Sequence, residues 1–342
     1  MTPLDAPLAD SSVAHRATLR DLLGGFLRTQ AIAVAAHLGV ADIVGDEPIS
    51  SDQLASQVGA DGPSLYRVLR LLASLGIFSE VEPRAFVRTS LSDGLRSDAP
   101  LSVRHFAVLF ASDAYRAAGE MRESIRTGRP VAEQVFGMPF FEHLAEDAAA
   151  SETFNRAMGG GAAARAAAAL QHAWANHATV IDIGGGNGSL ISAVLNAHMH
   201  LRGVVFDTPH VAADAQRLIE DAGLSDRCEA VAGDFFSEPI PPADVHVLSQ
   251  ILHDWDDEQA LAVLRNSRAS IASAGRLLVI EQVVPDGDEP SFSKELDLLM
   301  LVLLGGKERA AAEWRTLLAK GAFELTAIKP AAGTNLIEAA PV

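Results

Sequence analysis

Val180-Ile181-Asp182-Ile183-Gly184-Gly185-Gly186-Asn187-Gly188 is an apolar run carrying one acid and ending in glycines, with helix-forming residues from Ser189 onward. This is the pattern of a buried strand that enters a glycine turn and then a helix. Glycine lets the backbone turn sharply and lets a ligand approach with no Cβ in the way. A diphosphate is the natural guest of such a helix start. Here, however, Asp182 precedes the loop in the spacing Asp-x-Gly-x-Gly-x-Gly. A carboxylate beside the loop disfavours a diphosphate and suits a positively charged guest, such as an amino group or a sulfonium.

Outward from the loop the chain alternates strand and helix. Strands are predicted at 179–183, 203–206, 228–232, 245–248 and 276–280, and two more at 323–328 and 336–339. Helices between the first five imply a mostly parallel sheet covered on both faces. The second strand ends in Asp207, at the spacing where an acid accepts the ribose hydroxyl protons. After the third comes Gly233-Asp234-Phe235-Phe236, where Asp234 suits an adenine amino group and Phe235 its ring. A glycine loop alone is a weak signal; acids at the ends of two successive strands strengthen it.

The fourth strand ends at Ser249-Gln250 and is followed by Ile251-Leu252-His253-Asp254-Trp255. Ligands of open parallel sheets bind outside the carboxyl ends of the strands. His253 is therefore expected in one crevice with Glu281, which ends the fifth strand, and Glu308 in Gly305-Gly306-Lys307-Glu308-Arg309 can complete the group. Histidine, with an ordinary pKa of about 6.5, is the natural base near neutral pH. A carboxylate on its far nitrogen fixes the tautomer and stabilises the imidazolium. The other ten of the 11 histidines lack such a context. Two alternatives stand beside this one: Asp254, Asp256 and Asp257 as metal ligands, or His253 as a plain helix-entry residue. Consecutive acids ahead of the helix at 258–268 also suit its N-terminal dipole.

The 342 residues suffice for one large or two modest domains, and 49% hydrophobic residues suffice for a sizeable core. A net charge of −17 and no Lys/Arg run oppose binding to nucleic acid. One cysteine, Cys228, excludes an intramolecular disulfide and fits a reducing cytoplasm; it has the context of a small strand residue rather than of a nucleophile. The first ten residues show no leader pattern, and apolar runs such as 296–304 are too short to span a bilayer.

Residues 13–44 are predicted helical and apolar on more than one side, through Leu19, Leu22, Leu23, Phe26, Leu27, Ile32 and Val34. Both an oligomer contact and an ordinary core helix fit them. Helices at 52–58 and 64–74 followed by a hairpin at 77–81 and 85–88 form a winged-helix pattern. Arg67 and Arg70 are its only link to DNA, and the charge balance favours a packing module. Residues 101–175 are predicted helical, with an alanine-rich helix at 162–170, and a domain boundary is expected near 159–178.

Taken together, the motifs resemble the class I S-adenosylmethionine-dependent small-molecule O-methyltransferases, in particular the bacterial enzymes of antibiotic and polyketide tailoring, related to plant caffeate methyltransferases. Those motifs are Phe154-Asn155-x-Ala157-Met158, the glycine loop, Asp207-x-Pro209-His210, Gly233-Asp234-Phe235-Phe236, His253-Asp254-Trp255 and Gly305-Gly306-Lys307-Glu308-Arg309. The resemblance covers nearly the whole chain. It implies an N-terminal, mostly α winged-helix dimerisation domain at 1–100, a helical substrate-lining region at 101–175, and an α/β Rossmann-like catalytic domain at 176–342. It assigns Gly184, Gly186, Asp207, Asp234, Phe235 and the backbone at Ser249 to the cofactor, beside Asp182, and Trp255 to the adenine. His253, with the adjacent Asp254, becomes the base, flanked by Glu281 and Glu308. Phe154, Asn155, Met158, Met300 and Leu303 are assigned to an aromatic or polyketide acceptor. It further implies an interlocked homodimer that needs no metal.

Ser249 stands where the plant relatives usually carry lysine, so contacts at the adenine end differ. Members of this fold that have exchanged methyl transfer for hydroxylation or pericyclic chemistry tend to lose the His-Asp pair, which is intact here. The expectation is methyl transfer to a hydroxyl. A non-methylating enzyme using the cofactor's charge, and a cofactor-sensing DNA-binding regulator, are the two alternatives.

Overall fold

Strand boundaries follow the apolar runs. The computed structural model describes residues 6–99, 101–331 and 333–342, with side chains from residue 13 onward; the first five residues of the stretch without a leader pattern lie outside them. Contacts divide the chain into one unit of Met1–Arg116 with Asp147–Gly160, and a second of Ala117–Glu146 with Gly161–Val342. The region 101–175 is thus distributed over both.

In the first unit, helices Ala6–Leu23 and Gly25–His37 precede strand β1 (Ile49–Ser50), helices Ser51–Val58 and Gly62–Ser74, and a hairpin of β2 (Phe78–Glu82) and β3 (Ala85–Arg88). Ser50 caps the first of these helices in a reciprocal capping box with Gln53, and Asp61 caps the second. Leu54, Leu65, Leu69, Leu72, Phe78 and Phe86 close a small core. From the leading helices Ala31, Ala35 and Ala36 join it and Ile32 packs against it, whereas Leu19, Leu22, Leu23, Phe26, Leu27 and Val34 are all exposed. The core-helix alternative therefore fails for those six side chains within the protomer.

The second unit carries β4 (Thr179–Ile183), β5 (Arg202–Asp207), β6 (Cys228–Ala232), β7 (Ala243–Ser249), β8 (Ile271–Glu281), β9 (Val283–Val284), β10 (Arg309–Ala310), β11 (Phe323–Ala331) and β12 (Thr334–Pro341). Seven strands form one sheet in the order β11-β12-β8-β7-β4-β5-β6. β6, β5, β4, β7 and β8 run parallel, and β12 and β11 close the edge antiparallel. The two-residue strands β9 and β10 pair with each other. Side chains on a strand alternate between faces, so Val180 packs into one core and Ile181 into the other. One core holds Trp174, Ile191, Leu195 and Ile219; the other holds Val263, Leu264, Trp314 and Leu318. The strand order reverses between β4 and β7, which opens a crevice outside their carboxyl ends.

One histidine outside the crevice departs from expectation. His172 Nδ1 lies 2.8 Å from the Glu338 carboxylate, so a carboxylate partner is not peculiar to His253. Burial pushes the Cys228 thiol up to about 12, which makes it unreactive.

His246, fully buried on β7, pairs through Nδ1 with Ser267 Oγ at 2.9 Å. Burial depresses it from its ordinary 6.5 to about 3. A depressed histidine contributes stability above 6.5 that drains away as pH falls toward 3. In urea denaturation, His246→Leu is expected to lose less stability than wild type between pH 7 and pH 4.5 (about neutral and mildly acidic conditions). Equal losses would contradict this account of His246.

Candidate active site

The loop after β4 bends through Gly184, at φ +68°, a backbone conformation that glycine adopts freely. A Cβ there would stand 2.4 Å from Ile251 Cδ1 and 3.5 Å from Phe235 Cε1. The space over Gly184 is therefore a narrow cradle between the β4 loop, the β7 turn and the aromatic segment after β6. Gly188, the last glycine of the loop, leads directly into the helix Ser189–Ala197.

Three acids surround this cradle in different ways. Asp207 Oδ2 accepts from the Gly186 N–H at 2.9 Å, and its Oδ1 accepts from the Thr208 N–H at 2.7 Å. It thereby ties the glycine loop to the end of β5. Asp234 accepts from the Phe236 N–H at 2.9 Å and from the Ser237 hydroxyl at 2.7 Å. Each carboxylate keeps lone pairs for a ligand, but each also shapes its own turn. Asp182, expected beside the loop, is buried beneath it, against Gly185. Burial, with the charge of Asp207 and against that of Arg165, pushes its carboxyl up to about 7. Arg165, on the alanine-rich helix, gives no signal in the sequence that it belongs near the loop.

Trp255 stands edge-on to Phe236 at 4.8 Å and near Phe235 and Phe141, with ring centroids at 6.3 and 6.2 Å. Its Nε1 and the Ser249 hydroxyl are buried, and among the described residues neither has a hydrogen-bond partner. Buried polar atoms in native proteins are normally satisfied, and these two are exceptions.

Beyond Ser249 the chain turns through Gln250, a non-glycine residue at φ +58°. The turn carries His253 and is held from two sides. Glu281 Oε1 accepts from the N–H groups of Ile251 and Leu252 at 3.2 and 2.7 Å. Arg309, fully buried, donates to the carbonyls of Leu252 (2.8 Å) and Trp255 (3.0 Å) and to Asp257 (2.9 Å). The Lys307 N–H donates to the His253 carbonyl at 2.9 Å. Expected as a flank of the imidazole, Glu281 thus spends one oxygen on the backbone of the turn.

His253 is buried. Its Nδ1 lies 2.6 Å from Glu308 Oε1, and its Nε2 lies 3.3 Å from Asp254 Oδ1. Burial alone would depress the imidazole, but the charges of Asp254, Glu308 and Glu281 outweigh it and push it up to about 10. Burial also pushes Asp254 up to about 6 and Glu281 to about 7, each against the pull of His253. Glu308 is itself held by its N–H, which donates to Asp297 at 2.9 Å. The Asp254, Asp256 and Asp257 alternative fails on geometry: Asp256 caps the helix Asp257–Ser270, Asp257 pairs with Arg309, and no group of three metal-ligating side chains forms among the described residues.

Met300 and Leu303, expected at the acceptor, lie buried on the helix Phe292–Leu303 of the second unit. Phe154, Asn155 and Met158 lie on the helix Ala148–Gly160 of the first.

Gly306 lets the 305–309 segment approach this turn. A Cβ on it would stand 2.1 Å from the His253 carbonyl oxygen and 2.4 Å from the Asp254 carbonyl carbon, and backbone cannot yield as a side-chain tip can. Gly306→Ala is expected to cost about 1–3 kcal/mol or more in denaturant unfolding. Unchanged stability would contradict the close seating of the two segments.

Comparison with known proteins bears on what this geometry serves. Residues 119–324 match the O-methyltransferase domain model and residues 20–98 the O-methyltransferase dimerisation domain model. The chain is similar to the phenazine O-methyltransferase PhzM of Lysobacter antibioticus, at 43% identity over 95% of this chain and 96% of that protein. It is also similar to the O-demethylpuromycin-O-methyltransferase of Streptomyces alboniger, at 36% identity over 94% and 88%. Among solved structures it superposes on the O-methyltransferase NcsB1 from neocarzinostatin biosynthesis, in complex with S-adenosylmethionine and 2-hydroxy-5-methyl naphthoic acid. That match has a TM-score of 0.79 and 35% identity, and covers 92% of this chain and 96% of the other. By domain models and by relatives alike, the chain belongs to the O-methyltransferase family.

Proposed function

We propose that the protein transfers a methyl group from S-adenosylmethionine to a hydroxyl of an aromatic or polyketide-type small molecule of secondary metabolism, with His253 as the base. The observation that carries this reading is the pairing of His253 Nδ1 with Glu308 at 2.6 Å on the same turn whose Ile251 closes over Gly184.

The residues present suit the cofactor. Over Gly184 the Ile251 side chain packs against the backbone, whereas at Gly186 a Cβ would meet nothing within 4 Å, so the loop offers open backbone to a ligand there. Asp207 offers lone pairs to ribose hydroxyls, and Asp234, Phe235, Ser249 Oγ and Trp255 Nε1 offer polar and aromatic contacts to adenine. Burial and the charge of Asp207 push the Asp182 carboxyl beneath the loop up to about 7, and a cationic guest above it would favour its ionised form. When bound, S-adenosylmethionine supplies a methyl group made electrophilic by its positively charged sulfur.

The protein's own part is to position and to move a proton. Glu308 fixes the imidazole plane through Nδ1, and Nε2, 3.3 Å from Asp254 Oδ1, is the nitrogen that remains to take the acceptor's proton. Met300 and Leu303 supply apolar surface to an aromatic ring, and the family resemblance assigns Phe154, Asn155 and Met158 to the acceptor as well. Holding two reactants in line supplies much of the rate, and the base adds to it. The exposed Leu19, Leu22, Leu23, Phe26 and Leu27, within the residues that match the dimerisation model or beside them, favour a homodimer. Aromatic acceptors are favoured because phenazine and naphthoate chemistry recurs among the relatives.

The test is release of S-adenosylhomocysteine with a panel of phenols and hydroxyquinones, comparing wild type with His253→Ala. Loss of about 100-fold or more is expected for a general base. An undiminished rate in the variant would contradict the assignment.

A further inference from the structure

Asp297 interrupts the apolar second half of the helix Phe292–Leu303, between Leu296 and Leu298. Aspartate is a poor helix former, and this one is half-buried. Its Oδ1 accepts from the Glu308 N–H at 2.9 Å. Three positions along the helix from Asp297 stands Met300, so the two are neighbours on the helix surface. The helix that the family resemblance assigns to the acceptor thus also carries a bond to Glu308.

That bond requires the chain to double back. The helix ends at Leu303, about 9 Å along its axis from Asp297. Gly305, at φ +78°, donates its N–H to the Met300 carbonyl at 2.9 Å. The chain then returns: the Lys307 N–H donates to the His253 carbonyl at 2.9 Å, Glu308 reaches the Asp297 side chain, and Arg309 and Ala310 pair with Val283 and Val284. Glu308 Oε1 meets His253 Nδ1 at 2.6 Å, while its Oε2 is buried with no hydrogen-bond partner among the described residues. The backbone at 308 therefore sets the direction of this side chain, and Asp297 holds that backbone. Charges felt by Asp297 are those of Glu308, Glu313 and Lys307, and Lys307 Nζ is bound by Glu313 at 3.1 Å and by Asp257 at 3.4 Å.

We propose that Asp297 is a positioning residue for methyl transfer: acting through the Glu308 N–H, it aligns the Glu308–His253 pair from the helix that carries Met300 and Leu303. The inference rests on the methyl-transfer reading above. Asp297 acts at one remove from the imidazole, so its loss disturbs the alignment of the base rather than the binding of the cofactor. The oxygen that accepts from Glu308 is what matters, and the charge on Asp297 is secondary.

Three variants of the full chain test the proposal. Asp297→Ala removes the accepting oxygen, Asp297→Glu keeps the charge but displaces that oxygen by one methylene, and Asp297→Asn keeps an oxygen in place without the charge. Methyl transfer is measured at a temperature where circular dichroism shows each variant folded; if Asp297→Ala does not fold, Asp297→Glu carries the comparison. In Asp297→Ala and Asp297→Glu, kcat is expected to fall by about tenfold or more with KM for S-adenosylmethionine unchanged, because a small misplacement of a reacting group is costly. Asp297→Asn should recover most of the lost rate. A purely structural role would lower the unfolding midpoint and leave kcat of the folded variants at the wild-type value, and that result would overturn the proposal. So would an Asp297→Asn as slow as Asp297→Ala. The second measurement is histidine-selective nitrogen NMR of the ligand-free protein, with the His253 signal assigned by its loss in His253→Gln. Glu308 raises the imidazole together with Asp254 and Glu281, which these variants leave in place. The His253 titration should therefore move downward in Asp297→Ala and Asp297→Glu and stay near wild type in Asp297→Asn. A titration unmoved in the first two would overturn the proposal without any activity being measured. If wild type releases no S-adenosylhomocysteine with any phenol while the His253 titration still moves in Asp297→Ala, the methyl-transfer reading falls and the alignment of Glu308 by Asp297 stands.

Discussion

The turn from Gln250 to Trp255 is the joint on which both halves of the site depend. It presents Ile251 to Gly184 and His253 to Glu308, so a displacement of its backbone moves both contacts together. Within the turn the tie is slight: the Asp254 N–H donates to the Ile251 carbonyl at 3.2 Å, Gln250 sits in the left-handed region, and the 252–254 stretch is a single short helical turn. Support comes from outside, with Glu281 binding two of its N–H groups and Arg309 two of its carbonyls. A buried arginine is tolerated here because it is fully paired with carbonyls and one carboxylate.

The same clustering sets the electrostatics. Glu281 and Glu308 are buried, Asp254 is nearly so, and all three gather about one imidazole. Burial pushes the Asp254 and Glu281 carboxyls up toward neutrality against the pull of His253, while the charges around the imidazole push it up. Beneath the glycine loop Asp182 and Asp207 repeat the theme on the cofactor side, with Asp207 anchored to the loop and Asp182 enclosed. A cationic ligand relieves the repulsion that the protein alone carries there.

Much of this architecture is legible in the sequence because strands buried on both faces are apolar throughout and are bounded by glycine, proline and acids. The predicted spans 179–183 and 228–232 coincide with β4 and β6, and the others differ from the observed strands at their ends. β9 and β10 escape notice since two residues carry no periodicity. The acids at strand ends are visible as positions, but their partners are not. That Glu281 binds backbone N–H groups, that Asp182 lies under the loop, and that Asp254 turns toward Nε2 are consequences of tertiary packing. Arg309 appears in the sequence as one more charge in a Lys-Glu-Arg run, and only its burial reveals that it fastens the turn.

If one turn serves both cofactor and base, loosening it from behind must weaken cofactor binding even though the altered residue touches no ligand. Calorimetric titration of folded Arg309→Met with S-adenosylhomocysteine tests this most directly. The account predicts affinity weaker by about tenfold, or roughly 1.4 kcal/mol. An affinity equal to that of wild type would contradict it.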